Sequence, residues 1–318
     1  MQNNTKARQS IIITGGNSGL GYECAKEIAC SGQSWHIIIA SRNSSRVEDA
    51  VNRLIAETGY SHIQGIGLDL ASLDSIHKFV EKLLSLDIPP LKGLICNAAV
   101  QIISGTTYTK DGFESTFGVN HLGHFLLVNL LLSQMIEYSR IIFVSSDAHD
   151  PKTKTGMPSP QYRSPQKMAF PKVYDMNNDD VSNIGRCRYT TSKLCNLLCT
   201  YELVKRLQNY HKKIWVNAFN PGLMLDTQLA RDYDQKETLK FLIDSFPNLL
   251  GHIFRFRNSK KMGKALASLI LNSDLEGVSG KYFDGFEQVE SSAESHDIHK
   301  ALELWEESKI LVGLTQSV

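Results

Sequence analysis

Tyr189 and Lys193 stand four residues apart in Tyr189-Thr190-Thr191-Ser192-Lys193, so within a helix they share one face. A phenol with a pKa of about 10 exchanges protons poorly at neutral pH. An ammonium one turn away favours the phenolate and brings the hydroxyl into range for acid–base work. The spacing is common by chance, and an exposed helical pair is its plain alternative. Its setting narrows the choice: a run ending Val144-Ser145-Ser146 precedes it, and a run ending Asn220-Pro221-Gly222 follows. A second constellation is Thr14-Gly15-Gly16-Asn17-Ser18-Gly19-Leu20-Gly21, with glycines in a G-x-x-x-G-x-G pattern. Glycine lets the backbone turn tightly and approach a pyrophosphate, and the helix that follows aims its first N–H groups at that anion. A strand-like run before it and a helical pattern after it are the context a dinucleotide site requires. About 20 residues further on, where an acidic residue would hold the ribose 2′-hydroxyl of NAD, the next run ends Ala40-Ser41-Arg42. Arg42 suits a 2′-phosphate, so NADP(H) is expected over NAD(H).

These residues need elements to position them. Short β-branched runs at Ser10–Ile13, His36–Ala40, Gln64–Leu68, Gly93–Cys96 and Ile141–Ser145 read as strands buried on both faces. Between them, Gly19–Ser31, Ser45–Thr58 and Ser72–Leu86 carry apolar residues at helical spacing. Tyr189–Gln208, Lys260–Leu271 and His299–Lys309 read as later helices, and Ile214–Phe219 and Lys281–Phe283 as later strands. Alternation of this kind, with right-handed crossovers, predicts an α/β, doubly wound (Rossmann) parallel sheet of about seven strands with helices on both faces. A single dinucleotide-binding and catalytic domain over 1–318 is expected. It would carry an insertion at about 147–187, rich in Pro, Lys, Asp and Asn and too long for an ordinary loop.

Composition excludes several classes. Hydrophobic residues make up 42% of the 318-residue chain and charged residues 21%, which is ordinary globular composition rather than disorder, collagen or coiled coil. Lys+Arg number 34 against Asp+Glu 33, so no global charge argues for nucleic acid. Six cysteines without paired short spacing make neither a disulfide framework nor a zinc site, and point to a reducing cytoplasm. The polar Met1–Gln9 leaves no room for an apolar signal segment, and no window approaches the length of a transmembrane helix.

Taken in order, Thr14–Gly21, Asp69-Leu70, Asn97-Ala98-Ala99, Asn120, Ser146, Tyr189 with Lys193, and Pro221-Gly222 resemble the short-chain dehydrogenase/reductase family across nearly the whole chain. The resemblance implies a catalytic set of Asn120, Ser146, Tyr189 and Lys193. Tyr189 would protonate a substrate carbonyl oxygen as hydride arrives from the nicotinamide. Lys193 would tune Tyr189 and bind the nicotinamide ribose. Ser146 would hydrogen-bond the substrate oxygen, and Asn120 would hold a water relay to Lys193. For the cofactor it implies the turn residues Gly15, Asn17, Ser18, Gly19, Leu20 and Gly21, with Ser41 and Arg42 at the 2′-phosphate. Asp69 and Leu70 would lie at the adenine, and Asn97, Ala98 and Ala99 along the adenosine ribose. Pro221 and Gly222 complete the wall, and Thr227 would reach the carboxamide; its plain alternative is a helix N-cap. No metal is implied.

Asn120-His121-Leu122-Gly123-His124-Phe125 and Ser192-Lys193-Leu194-Cys195-Asn196 resemble the retinol-dehydrogenase-like branch and light-dependent protochlorophyllide reductase. Leu94–Val100 and the tail Leu304–Leu314 lean toward the photoenzyme; Leu223, where it carries a cysteine, and Ser146, where it usually carries threonine, lean away. A dark carbonyl reductase or alcohol dehydrogenase is favoured, with the photoenzyme as alternative and a non-catalytic NADP(H) sensor or scaffold as the rival of another class. Phe241–Phe256, apolar with few charges, falls in a substrate lid at about 224–258 and suits a lipophilic carbonyl or alcohol, unless it packs on the core. Arg255, Arg257, Lys260 and Lys261 behind it give a further reading, peripheral membrane contact. His121 and His124 read as helix-capping or packing residues, and Cys195 and Cys199 as small buried ones. Asp147 and His149 could line the pocket mouth and are assigned no chemistry. Relatives dimerise through the tyrosine helix, but the 43 residues between Ser146 and Tyr189 imply an insertion that covers this face in some monomeric relatives, so monomer and homodimer are the alternatives.

Overall fold

The computed structural model describes residues 7–172, 180–224 and 257–315. Eight strands form one sheet: β1 (Gln9–Thr14), β2 (Trp35–Ser41), β3 (Ile63–Gly67), β4 (Leu91–Cys96), β5 (Met135–Val144), β6 (Ile214–Asn220), β7 (Tyr282–Asp284) and β8 (Glu287–Val289). Their order is β3-β2-β1-β4-β5-β6-β7-β8, parallel throughout except for the β7–β8 hairpin. The seven expected runs are present as β1 to β7. The eighth strand, Glu287-Gln288-Val289, lies at the sheet edge with two exposed polar residues, so no apolar run announces it.

Consecutive isoleucines form strands here because both faces are covered. Ile12, Ile38, Leu94 and Ile141 point into one core, and Ile11, Ile13, Ile37, Ile39, Ile95 and Ile142 into the other. The second core is closed by α1 (Gly19–Ala29), α2 (Ser44–Thr58) and, later in the chain, Ser259–Leu271. The first is closed by α3 (Leu73–Ser85) and by α4, which runs unbroken through Ser115–Phe117, a wide π turn at Gly118–Leu122, and Gly123–Leu131. The short α5 (Pro165–Ala169) and the long α6 (Val181–Leu207) follow on the same side; Ser259–Leu271 is α7, and α8 (Ile298–Leu311) ends the fold outside α6. Burying each large aliphatic side chain contributes roughly 1.5–3 kcal/mol relative to leaving it in water, so the two cores hold the sheet rigid beneath its loops.

Two boundaries differ from the sequence reading. The tyrosine helix begins at Val181, two turns before Tyr189. Its first turns are polar and include Gly185, where a Cβ would collide with the Ile102 carbonyl, so close packing rather than an apolar stripe sets that stretch. Strand β5 begins at Met135, not Ile141; Tyr138 within it has φ 62°, which breaks the alternation a strand pattern would show.

Candidate active site

The strand order reverses between β1 and β4, and in such sheets ligands settle beyond the carboxyl ends of the strands at that reversal. A cleft of about 230 Å³ opens there. Gly15, Asn17, Ser18, Gly19 and Leu20 line it from the β1–α1 turn, Ser41 and Arg42 from the end of β2, and Asp69 and Leu70 from beyond β3. Asn97, Ala98 and Ala99 follow β4, Tyr189 and Lys193 come from α6, and Pro221 follows β6. Gly21 and Gly222 support the cleft without lining it. At Gly21 a Cβ would lie 2.7 Å from Asn97 Nδ2 and 2.8 Å from the Gly15 carbonyl, so only glycine lets α1 start against the β4 turn. Gly15 has φ 65°, and a Cβ there would meet Ala98 Cα at 3.0 Å. Gly222 turns with φ 70° against Arg257. Thr227, Phe241–Phe256 and most of the expected lid lie outside the described residues.

The cleft also contains residues that the sequence reading missed. Arg46, exposed in the first turn of α2, joins Arg42 at the end of β2, and Asn43 between them caps α2 by accepting the Arg46 N–H at 3.0 Å. Among the described residues no acidic side chain lines this corner. Asp69, the one carboxylate among the described residues of the cleft wall, is held at 3.2 Å by Lys110 and accepts the Ala71 N–H. The floor is organised by Thr14, whose hydroxyl accepts the N–H groups of Asn97 (2.9 Å) and Ala98 (3.0 Å). The single proton of that hydroxyl has two acceptors in reach, the Ile95 carbonyl at 3.2 Å and His124 Nε2 at 2.9 Å. His124 Nδ1 carries the ring proton toward the Asn120 carbonyl at 3.3 Å. Burial, with Lys193 nearby, pulls the His124 pKa down to about 4 and keeps it neutral. His124 is thus a hydrogen-bonded link, not the cap or packing residue its sequence suggests. His121 does pack, stacked on Phe117 and bonded to Ser308.

Tyr189 and Lys193 occupy one wall, with Lys193 Nζ 5.4 Å from the centre of the Tyr189 ring, within cation–π range. Lys193 Nζ donates to the Val144 carbonyl at 3.1 Å, and burial lowers its pKa to about 8. Ser145 Oγ donates to the Lys193 carbonyl at 2.8 Å, fastening α6 to β5 and facing the cleft. Asn120 is fully buried in the π turn, a helical irregularity common at functional sites. Its amide bonds both backbone groups of Val100 and reaches Ser192 Oγ at 3.0 Å; Ser192 in turn donates to the Tyr189 carbonyl. Ser146 is half-buried and begins the turn 147–149: its Oγ accepts the Ala148 N–H at 3.2 Å and donates to Asp147 at 3.3 Å. It does not line the nucleotide cleft. Asp147 and His149 line a second cavity of about 110 Å³ beyond β5, β6 and β7, with Gly222, Tyr282 and Asp284.

Arg257 turns inward to a bidentate pair with Asp284 at 2.6 and 2.9 Å, which removes it from the basic cluster that suggested membrane contact. No helix among the described residues is long and apolar enough to cross a membrane. Cys195 and Cys199 are buried, and burial pushes the Cys199 thiol up to about 12. Among the described residues no group of side chains is arranged to hold a metal ion.

A glycine cradle, a pair of arginines and a tyrosine–lysine wall at one crevice define a dinucleotide-binding protein of the doubly wound class. The short chain dehydrogenase family model matches residues 9–158. WW domain-containing oxidoreductase of Gallus gallus is 35% identical over 308 residues, covering 95% of this chain and 67% of that protein. Retinol dehydrogenase 13 of Mus musculus is 35% identical over 313 residues, covering 97% of this chain and 85% of that one. The crystal structure of an uncharacterized Mycobacterium paratuberculosis protein superposes with a TM-score of 0.68 at 27% identity, covering 97% of this chain and 94% of the other. The chain belongs to the short-chain dehydrogenase/reductase family of oxidoreductases, in its retinol-dehydrogenase-like branch.

Proposed function

We propose that this protein moves hydride between NADP(H) and a carbonyl/alcohol pair on a lipophilic small molecule. One observation carries the reading: Tyr189 and Lys193 share a cleft with the glycine turn and Arg42. The residues present fit a dinucleotide. Gly15 and Gly21 leave room where a Cβ would collide, and the first turn of α1 offers unpaired N–H groups to a pyrophosphate. Arg42 and Arg46 supply two positive charges where a 2′-phosphate would lie. A bound nicotinamide would supply or accept the hydride.

The chain's own residues supply position and the proton. Tyr189 donates a proton to the carbonyl oxygen in reduction and takes it back in oxidation. Lys193, held by the Val144 carbonyl, keeps its ammonium beside that ring and stabilises the phenolate left behind. Asn120 holds the π turn open against Val100 and ties it through Ser192 to the Tyr189 backbone, in place for a water path to Lys193. Ser146 orients the substrate oxygen. Substrate enters from the side of the second cavity, and Val100, Val119 and Met224 offer apolar contacts in the cleft. The retinol dehydrogenases among the relatives are named for an isoprenoid alcohol, and aldehydes and alcohols of that kind are the first class to test. The cytoplasm is part of this reading, supported by the buried thiols of Cys24, Cys96, Cys195 and Cys199. Light-driven reduction of protochlorophyllide is the alternative, and Leu223 and Ser146 weigh against it.

The test is consumption of NADPH with a panel of aldehydes and ketones, run in darkness and in light. Turnover of a lipophilic carbonyl in darkness is expected. Tyr189→Phe should lower kcat by roughly 100-fold or more, the usual weight of a positioned acid, with NADPH binding retained. Tight NADPH binding without turnover of any carbonyl would make the protein a sensor or scaffold instead.

A further inference from the structure

His149 is 2% exposed, one turn beyond Ser146, and lies outside the chemistry described above. Its Nδ1 is 2.5 Å from the Ser146 carbonyl oxygen, and its Nε2 is 3.0 Å from the backbone nitrogen of Ser292. A carbonyl oxygen only accepts and a backbone N–H only donates. The ring therefore carries its proton on Nδ1 and a lone pair on Nε2, a single neutral tautomer. Tyr282 packs edge-on against it, with ring centres 5.2 Å apart. Ser292 belongs to a segment fastened to α6: Ser291 Oγ bonds Tyr201 Oη at 2.6 Å and Ser295 Oγ at 2.7 Å. His149 thus joins the turn that carries Ser146 to a strap anchored on the helix that carries Tyr189 and Lys193.

We propose that His149 is the positioning residue of Ser146: by fixing the Ser146 carbonyl to the strap, it sets the direction of the serine hydroxyl relative to the Tyr189 hydroxyl. The proposal rests on Ser146 being the hydroxyl that orients the substrate oxygen. With both nitrogens engaged by backbone, His149 does not itself exchange protons with substrate. A displacement of 1 Å in such a group can cost about 100-fold in rate.

Two pairs of variants test it, with NADPH and a carbonyl the enzyme turns over. His149→Phe removes both bonds, whereas His149→Asn can still donate to the Ser146 carbonyl. Ser292→Pro removes the N–H that His149 accepts, at a residue whose φ of −58° proline shares, together with the hydroxyl that accepts the Ser295 N–H; Ser292→Ala loses the same hydroxyl but keeps the N–H, so the difference between the two isolates the bond to His149. We expect His149→Phe and Ser292→Pro to lower kcat by about tenfold or more with the NADPH Kd within twofold, and the Asn and Ala variants to recover most of it. In a Ser146→Ala background His149→Phe should add no further loss, because the group it aims is gone. A merely structural histidine would give additive losses instead. Undiminished kcat in folded His149→Phe, equal losses in Ser292→Ala and Ser292→Pro, or additivity with Ser146→Ala each overturns the proposal while leaving the serine's role intact. A fully active Ser146→Ala overturns that role, and the proposal with it.

Discussion

Lys193 is held in conflict by the fold. The mechanism proposed above uses its ammonium, yet burial lowers its pKa from the ordinary lysine range to about 8. Carbonyl reduction should therefore lose kcat/KM as pH rises through about 8, tenfold per unit, when the ammonium beside Tyr189 is neutralised. The stability sign runs the other way. Between about pH 8 and the unfolded lysine value the unfolded chain binds more protons, so stability rises with pH across that window and is lower, and flat, beneath it. Rate profiles from pH 6 to 10 check the first, and melting of the cofactor-free protein against Lys193→Met checks the second. A rate flat to pH 10 would separate Lys193 from catalysis. The pair Tyr189 and Lys193 and the glycine turn are legible in sequence because each is defined by spacing within a few residues, and Arg42 because it ends the run about 20 residues beyond that turn. His124 and Ser145 are not. The partner of His124 is Thr14, 110 residues away, and Ser145 faces the cleft by bonding a helix carbonyl 48 residues on. Their roles exist only once the sheet has closed.

At the scale of elements, the β2–α2 junction concentrates positive charge. Arg42 ends the strand's exit, Asn43 caps the helix, and Arg46 falls in its first turn, so two guanidiniums and a helix N-terminus face one corner. A 2′-phosphate there would make charge-assisted hydrogen bonds worth about 1.5–3 kcal/mol each. Arg42→Asp should weaken NADPH roughly ten- to 100-fold while leaving NADH unchanged or tighter, measured by fluorescence titration of each nucleotide. An unchanged NADPH-to-NADH ratio would remove Arg42 from cofactor choice. Arg46 escapes sequence reading because, on a helix rich in surface charge, nothing local distinguishes it. Elements were legible where one face differs from the other, as in α2 and α3. The helix α4 has no such stripe: Phe125, Leu126, Leu127 and Val128 are all buried, so its pattern is apolar on every side and the crossover it makes goes unannounced. Its π turn, which places Asn120, has no sequence signature at all.

At the scale of the molecule, the outward faces of α4 and α6, the surface on which the sequence left a homodimer open, are already occupied by the chain itself. Trp305 of α8 is buried edge-on against Phe125 of α4, with ring centres 4.8 Å apart, and Ser308 bonds His121. Arg206 of α6 reaches Glu306 at 2.6 Å. The segment before α5 adds Tyr162, bonded to the Lys300 carbonyl and to Glu303, and the first turn of α5 donates the Gln166 N–H to Glu307. A second copy docking on this face would have to displace an aromatic core contact and several charged bonds before gaining any of its own. The sheet edge on this side offers little else, since β8 is three residues long and exposes Glu287 and Gln288, features that discourage strand addition. We therefore propose a monomer, and light scattering at micromolar concentration should give the mass of one chain with and without NADPH. If a dimer were found, cross-linking at Trp305 and Glu306 would distinguish a displaced α8 from an interface elsewhere, and only the former would overturn the packing argument.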